Sequence, residues 1–203
     1  MRYFVKTPWW LKKLYPRRIW DFDTGEKIIY LSFDDGPHPV ATPFILDALK
    51  KYKAKASFFC IGKNVLAYPD LYRRIQEEGH RVANHSHSHL NGYKTPDKTY
   101  LGDIHEAAAY IDSNLFRPPY GRMTASQFRK LPDYRIIMWD VLSGDFDVSL
   151  TKEKCLEGVN TKTKPGSIVV FHENDKAWEK MSYTLPRFLD YFHQQGYNFS
   201  VIP

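Results

Sequence analysis

From residue 27 to residue 202, short apolar, β-branched runs alternate with segments of helical period. Nothing else in the chain constrains its fold as strongly. Buried strands read from 27–33, 56–62, 80–86, 114–119, 134–140, 166–172 and 197–202. Helices read from 41–52, 64–78, 97–113, 123–131, 149–160 and 176–195, with Asp97 as a candidate cap. Strands that are apolar on both faces and joined through helices imply a parallel α/β sheet. The pattern alone leaves open whether that sheet is doubly wound or closes toward a barrel.

Polar residues collect where these runs end: Asp34 and Asp35, His85 and His89, Arg117, Asp145 and His172. In a barrel all these ends meet at one mouth. In an open sheet only those beside the switch point meet. The clustering therefore favours a barrel.

Charge divides the chain. Of 29 basic residues, six (Arg2, Lys6, Lys12, Lys13, Arg17 and Arg18) fall in the first 20 positions, where no acid occurs. The remaining 23 are matched by all 23 acidic residues, so the body is electrically balanced. A balanced body lacks the basic face on which nucleic-acid affinity depends, so a nucleic-acid partner is not expected. Residues 1–26 read as a basic, aromatic arm and 27–203 as the main domain. Within the arm, Trp9, Trp10 and Trp20 are expected to plug one end of the domain. The other reading is peripheral contact with an anionic membrane. Pro8 and Pro16 interrupt the long amphipathic helix that such contact favours. No secretory signal is visible, which points to a cytoplasmic or membrane-peripheral location. Cys60 and Cys155 are too few for a disulfide scaffold, and Cys60 reads as a buried free thiol.

Two segments carry chemistry. Asp34-Asp35-Gly36-Pro37 follows a strand directly, and both carboxylates reach one site only if the chain leaves the strand there, which Gly36-Pro37 allows. One carboxylate then ligates a metal while the other acts as a base; a plain surface Asp-Gly turn is the competing reading. His85-Ser86-His87-Ser88-His89 brings His85 and His89 to one face if it curls into a helical turn. Two imidazoles and a carboxylate suit zinc or a similar ion and leave positions open for water and substrate. His38, His80, His105 and His193 read as surface or capping residues.

With these segments quoted, the chain resembles the polysaccharide deacetylase family, the NodB-homology domain of carbohydrate esterase family 4. Five motifs carry the likeness in order: LSFDDGP (31–37), HSHSH (85–89), RPPYG (117–121), WDVLSGDF (139–146) and VVFH (169–172). The resemblance implies an irregular, partly closed (β/α) barrel of about seven parallel strands. It implies a metal triad of Asp35, His85 and His89 around one divalent ion, zinc foremost, with cobalt, nickel or manganese as alternatives. Asp34 looks like the general base and His172 like the general acid. Arg117 resembles the residue that holds the base, and Asp145 the one that supports the acid. The backbone N–H of Tyr120 corresponds to an oxyanion donor. The implied activity is metal-dependent removal of an N-acetyl group from an N-acetylated sugar or glycan, by a monomer. O-deacetylation, or deacylation of a lipid-linked amino sugar, is the alternative, and an inactive carbohydrate-binding protein a further one. His87 is not an assigned ligand and reads as a partly buried neighbour of the triad. Phe146 stands where the family usually has Trp, and Val170 where it usually has Leu.

Overall fold

The computed structural model describes residues 3–203; Arg2, counted above in the arm, lies outside the described residues. β1 (Ile28–Asp34) is the axis of the sheet. Helix α1 (Trp9–Leu14) precedes it in the arm. After β1 come α2 (Ala41–Lys51), β2 (Ser57–Cys60), α3 (Gly62–Ala67), α4 (Pro69–Glu77) and β3 (Arg81–Asn84). Then follow α5 (Asp97–Ala108), β4 (Leu115–Phe116), α6 (Ala125–Arg129), β5 (Arg135–Ile136) and β6 (Val141–Leu142). The chain ends with α7 (Lys152–Lys162), β7 (Ile168–His172), α8 (Asp175–Gln194) and β8 (Asn198–Ser200).

All sheet pairs are parallel, in the order β5-β4-β3-β2-β1-β7-β6. β2 pairs with Ser32–Asp34, and β8 takes Ile28–Tyr30, the half of β1 that β2 leaves free. The sheet is open and curled, seven strands in line, and helices surround it. It is the partly closed barrel that the resemblance implies.

Alternation along β1 sorts its side chains. Leu31 and Phe33 face α2 and α8, where Phe33 stacks on Phe58 at 5.1 Å and on Phe171 at 6.2 Å. Each such fully buried side chain contributes roughly 1.5–3 kcal/mol. Ser32 and Asp34, two apart, share the opposite, concave face.

Several boundaries differ from the sequence reading. The helix expected over 64–78 is two helices, because Tyr68 leaves helical geometry and Pro69, lacking an N–H, begins the second. Asp97 is the first helical residue rather than the cap, and its carboxylate is taken by Ser126 (2.5 Å) and Lys130 (2.7 Å). The run 134–140 pairs with β4 only at Arg135–Ile136, and Val141–Leu142 forms a strand that was not foreseen. His80 is buried, not superficial: its Nδ1 accepts the Ala56 N–H at 3.3 Å, and burial lowers its pKa to about 4. Cys60 and Cys155 are both free and buried.

No helix connects β5 to β6, so the two outer edges of the sheet lie close along the chain, and the arm fills the seam between them. Ile19 bridges Ile137, accepting the Met138 N–H at 2.7 Å and donating to the Ile136 carbonyl at 2.9 Å. On the other edge Lys6 bridges Val141; Thr7 N–H donates to the Asp140 carbonyl and Leu142 N–H to the Val5 carbonyl, both at 2.8 Å. Trp20 is buried, as expected of a plug. Trp9 and Trp10 are not: they are 69% and 50% exposed, because the arm presents α1 outward while its extended parts pair with the sheet. Among the described residues no helix is long and apolar enough to cross a membrane.

Candidate functional site

Asp34 closes β1 facing inward, and Asp35 is the first residue past it, at φ +77°. That reversal of backbone sense lets adjacent carboxylates share one mouth, as the turn argument required. Asp34 is 3% exposed and meets Arg117, which leads out of β4. The Arg117 guanidinium is wholly buried and lies 3.9 Å from the centre of the Phe59 ring. It donates to Asp34 Oδ1 (2.5 Å), Ser32 Oγ (3.0 Å) and the carbonyls of Ile137 (3.3 Å) and Met138 (3.1 Å). The guanidinium is itself fixed by Ser32 and the two carbonyls, and through Nη1 it anchors one oxygen of Asp34.

His85 follows β3. Ser86 and His89 adopt positive φ (63° and 58°), and the segment curls so that His85 and His89 face each other with ring centres 5.0 Å apart. His87 turns the other way, into the space between α3 and α5, with Nε2 3.2 Å from Glu106. It is buried rather than partly buried, and it does not join the triad.

The ligand atoms of Asp35, His85 and His89 lie within 4.8 Å of one another. His85 Nδ1–H donates to the Arg117 carbonyl at 2.8 Å, so in the neutral ring Nε2 carries a lone pair. That lone pair faces Asp35 Oδ1 at 3.5 Å, and His89 Nε2 faces the same oxygen at 3.2 Å. Asp35 Oδ1 is buried with no hydrogen-bond donor. Acceptors converging at this spacing fit one cation, since tetrahedral ligands about 2.0–2.2 Å from a shared ion stand roughly 3.3–3.6 Å apart. The other oxygen, Oδ2, accepts from Asn174 Nδ2 at 2.7 Å. Burial pushes the Asp35 carboxyl up, but the adjacent His85 and His89 imidazoles, whenever they take up a proton, outweigh it and hold it well below the usual range.

Across the mouth, His172 ends β7. Its Nδ1 meets Asp145 Oδ1 and its backbone N–H meets Asp145 Oδ2, both at 2.8 Å, and Asp145 is fully buried. Burial pulls the imidazole pKa down. The charge and hydrogen bond of Asp145, then the charges of Asp35 and Asp34, more than reverse this and raise it to about 9. Phe146 packs edge-on against His172 at 5.0 Å, and Tyr3 from the arm lies 5.3 Å from Phe146. Tyr120 sits at φ +59° in the turn Pro119–Gly121, its ring 4.6 Å from His89. These groups line a cavity of about 530 Å³.

Three residues of this site were not foreseen. Asn174 caps α8 through Oδ1 (Ala177 N, 3.0 Å) while its amide orients Asp35. Asn64 Nδ2 holds the Asp35 carbonyl at 2.7 Å. Asp103 Oδ2 accepts the N–H groups of His87 (3.1 Å) and Ser88 (3.0 Å), fixing the curled loop. Only Asn174 left a sequence signal: a capping residue type two positions past His172, just before a helix.

Residues 21–134 match the polysaccharide deacetylase family. The chain is 32% identical over 191 residues to a peptidoglycan-N-acetylglucosamine deacetylase of Bacillus cereus, covering 90% of each. It is 30% identical to a chitooligosaccharide deacetylase of Bradyrhizobium, covering 83% of this chain and 80% of that protein. Some other peptidoglycan deacetylases it resembles are longer, and the chain spans 33% to 55% of their length. The crystal structure of the Bc1960 peptidoglycan N-acetylglucosamine deacetylase superposes with a TM-score of 0.88 at 26% identity, over 97% of this chain and 95% of that one.

Proposed function

The chain belongs to the polysaccharide deacetylase family, and from that premise we propose that it is a metal-dependent hydrolase removing the N-acetyl group from N-acetylated sugars of a glycan. The observation that carries the reading is the unpartnered, buried Oδ1 of Asp35 facing two imidazole nitrogens. Asp35, His85 and His89 would hold the cation, zinc first among the ions such a donor set accepts. A divalent ion bound there would supply Lewis acidity toward the acetyl carbonyl and would lower the pKa of water toward neutrality.

The chain's own residues do the rest. Asp34, fixed by Arg117, accepts the proton of the attacking water. The Tyr120 N–H donates to the oxygen that becomes negative as the carbonyl turns tetrahedral. His172, protonated beside Asp145, delivers a proton to the departing nitrogen, without which an amide does not cleave at neutral pH. Phe146, Tyr3, Trp139 and Leu142 give the sugar an apolar wall.

Peptidoglycan or chitooligosaccharide is the substrate class by likeness to the relatives, and the enzyme acts as a monomer. Phe4, Trp9, Trp10 and Leu14 are exposed, and Lys13 lies 4.9 Å over the Trp9 ring. This mixed basic and apolar face supports a location at an anionic membrane surface, with the active site turned to the glycan.

The test is acetate release from chitooligosaccharides and peptidoglycan fragments, before and after chelation. Release that stops on chelation and returns with zinc or cobalt is expected. Absence of release from every N-acetylated glycan by the metal-loaded protein would overturn the reading.

A further inference from the structure

Beside the catalytic cavity lies a second one, of about 270 Å³, which shares Tyr3, Tyr120, Trp139 and Leu142 with it. Its outer wall comes from the arm: Leu11, Tyr15 and Arg18. No acidic side chain lines it, but two arginines do, Arg18 and Arg122.

Arg18 is the unusual member. It is 8% exposed, yet forms no ion pair among the described residues. Its guanidinium lies 4.2 Å from the centre of the Tyr15 ring, and Nη2 reaches only the Met123 carbonyl, at a long 3.4 Å. A guanidinium has five N–H donors. Arg117, the buried arginine of the catalytic cavity, is by contrast matched by Asp34, and even the half-buried Lys6 and Lys12 of the arm are matched by Asp140. An uncompensated buried cation is strongly unfavourable, and this one faces a cavity.

We infer that this second cavity is a subsite for the sugar unit next to the one being deacetylated, and that Arg18, assisted by Arg122, binds an anionic group carried by that unit. Continuity with the catalytic cavity makes the occupant part of the same glycan. The Tyr120 and Trp139 rings, shared by both cavities, give it stacking faces. The charge balance makes its substituent a carboxylate or a phosphate. This rests on the glycan reading above and narrows it: the preferred substrate is an acidic glycan, not a neutral one.

Three tetrasaccharides decide the matter: chitotetraose, its counterpart alternating with N-acetylmuramic acid bearing free lactyl carboxylates, and chitotetraose phosphorylated on alternate sugars, which carries no carboxylate. kcat/KM is measured for the metal-loaded wild type, Arg18→Met and Arg122→Ala. The wild type should favour an anionic glycan, the carboxylate and phosphate arms showing which source it reads. Loss of a charge-assisted hydrogen-bonding partner should lower that preference on the order of tenfold in Arg18→Met. Arg122, less buried, should give a smaller drop, and it keeps the test valid if Arg18→Met folds poorly. A wild type without preference, or a ratio that neither variant moves, would overturn the subsite while leaving the deacetylase reading intact. Calorimetric binding of the same glycans to the wild type and Arg18→Met separates the converse. Arg18-dependent binding of the anionic glycans without any acetate release would keep the subsite and sink the catalytic reading.

Discussion

Two of the molecule's aspartates, Asp140 and Asp35, belong to two differently finished clusters. Asp140, at the seam, is fully buried, and each of its oxygens is engaged: Lys12 (2.5 Å) on Oδ1, Lys6 and Ser167 (2.6 Å) on Oδ2. Asp21 also pairs with Lys12, so the cluster is closed on itself. Asp35, at the mouth, has one oxygen held by Asn174 and the other facing acceptors alone. A carboxylate whose valence the protein completes fastens chain segments together. One whose valence is left open is arranged for something the protein does not contain.

Removing a member of the open cluster should have the largest effect. Asp35→Ala or His89→Ala should abolish stoichiometric metal binding and lower kcat/KM by on the order of 10³-fold or more. Metal content at wild-type level in either variant would break the contrast. Next comes Asp34→Asn, which should keep the metal, since Asp34 is not among the ligands, and lose about 10²–10⁴-fold in turnover. His172→Ala should keep metal too, and should hurt amides more than activated aryl acetates, whose leaving groups need no proton. In the wild type, an acid with pKa raised to about 9 predicts that kcat/KM declines as pH climbs through that value. Asp145→Asn removes the largest raising influence and should move the decline toward lower pH. The same shift has a stability sign. A raised native pKa stabilises the fold fully below the unfolded value, about 6.5, and this contribution is lost as pH rises through about 9.

The closed cluster should respond in stability, with metal content unchanged. Asp140→Ala strips Lys6 of its carboxylate and leaves Lys12 with Asp21 alone, and should cost about 3 kcal/mol in denaturant melts. Burial raises the Asp140 pKa, but hydrogen bonds from Lys12, Lys6 and Ser167 win and hold it below its ordinary value. Its contribution is therefore present above the unfolded pKa, about 3.9, and lost as pH falls through the native value beneath it. Melts of wild type and Asp140→Asn should converge in strong acid, separate as pH rises through the native value, and reach their full difference by about pH 4. The smallest effect on activity is expected from His87→Ala, which should leave metal binding and kcat/KM within about threefold, because His87 points at Glu106. Behaviour like that of His89→Ala would mean that all three histidines ligate.

What could be read in advance follows from how local each cause is. The strands at 28–34 and 168–172 announce themselves because apolar runs buried on both faces leave a continuous signal. The candidate metal ligands were legible as residue types at strand ends, and their convergence follows once the sheet is parallel. Asn174 and Asp35 are 139 residues apart, and no local pattern tells an asparagine which carboxylate it will meet. Asp103 resembled any acidic residue on a helix until the loop it clamps had curled. The arm misled for the same reason: composition showed tryptophans beside lysines, but only the open seam between β5 and β6 decides that Trp20 turns in and Trp9 out.

The seam also has a consequence in time. Lys12 is synthesised 128 residues ahead of Asp140, the carboxylate that fastens it. At translation rates of about 5–20 residues per second, the arm waits roughly 6–26 s before its docking edge exists. During that interval its tryptophans and unpaired backbone have no native partner, and closing so long a loop carries an entropic penalty before any contact compensates it. The arm is thus made well ahead of the edge it docks on, and the wall it lends to the substrate cleft cannot form until that edge exists.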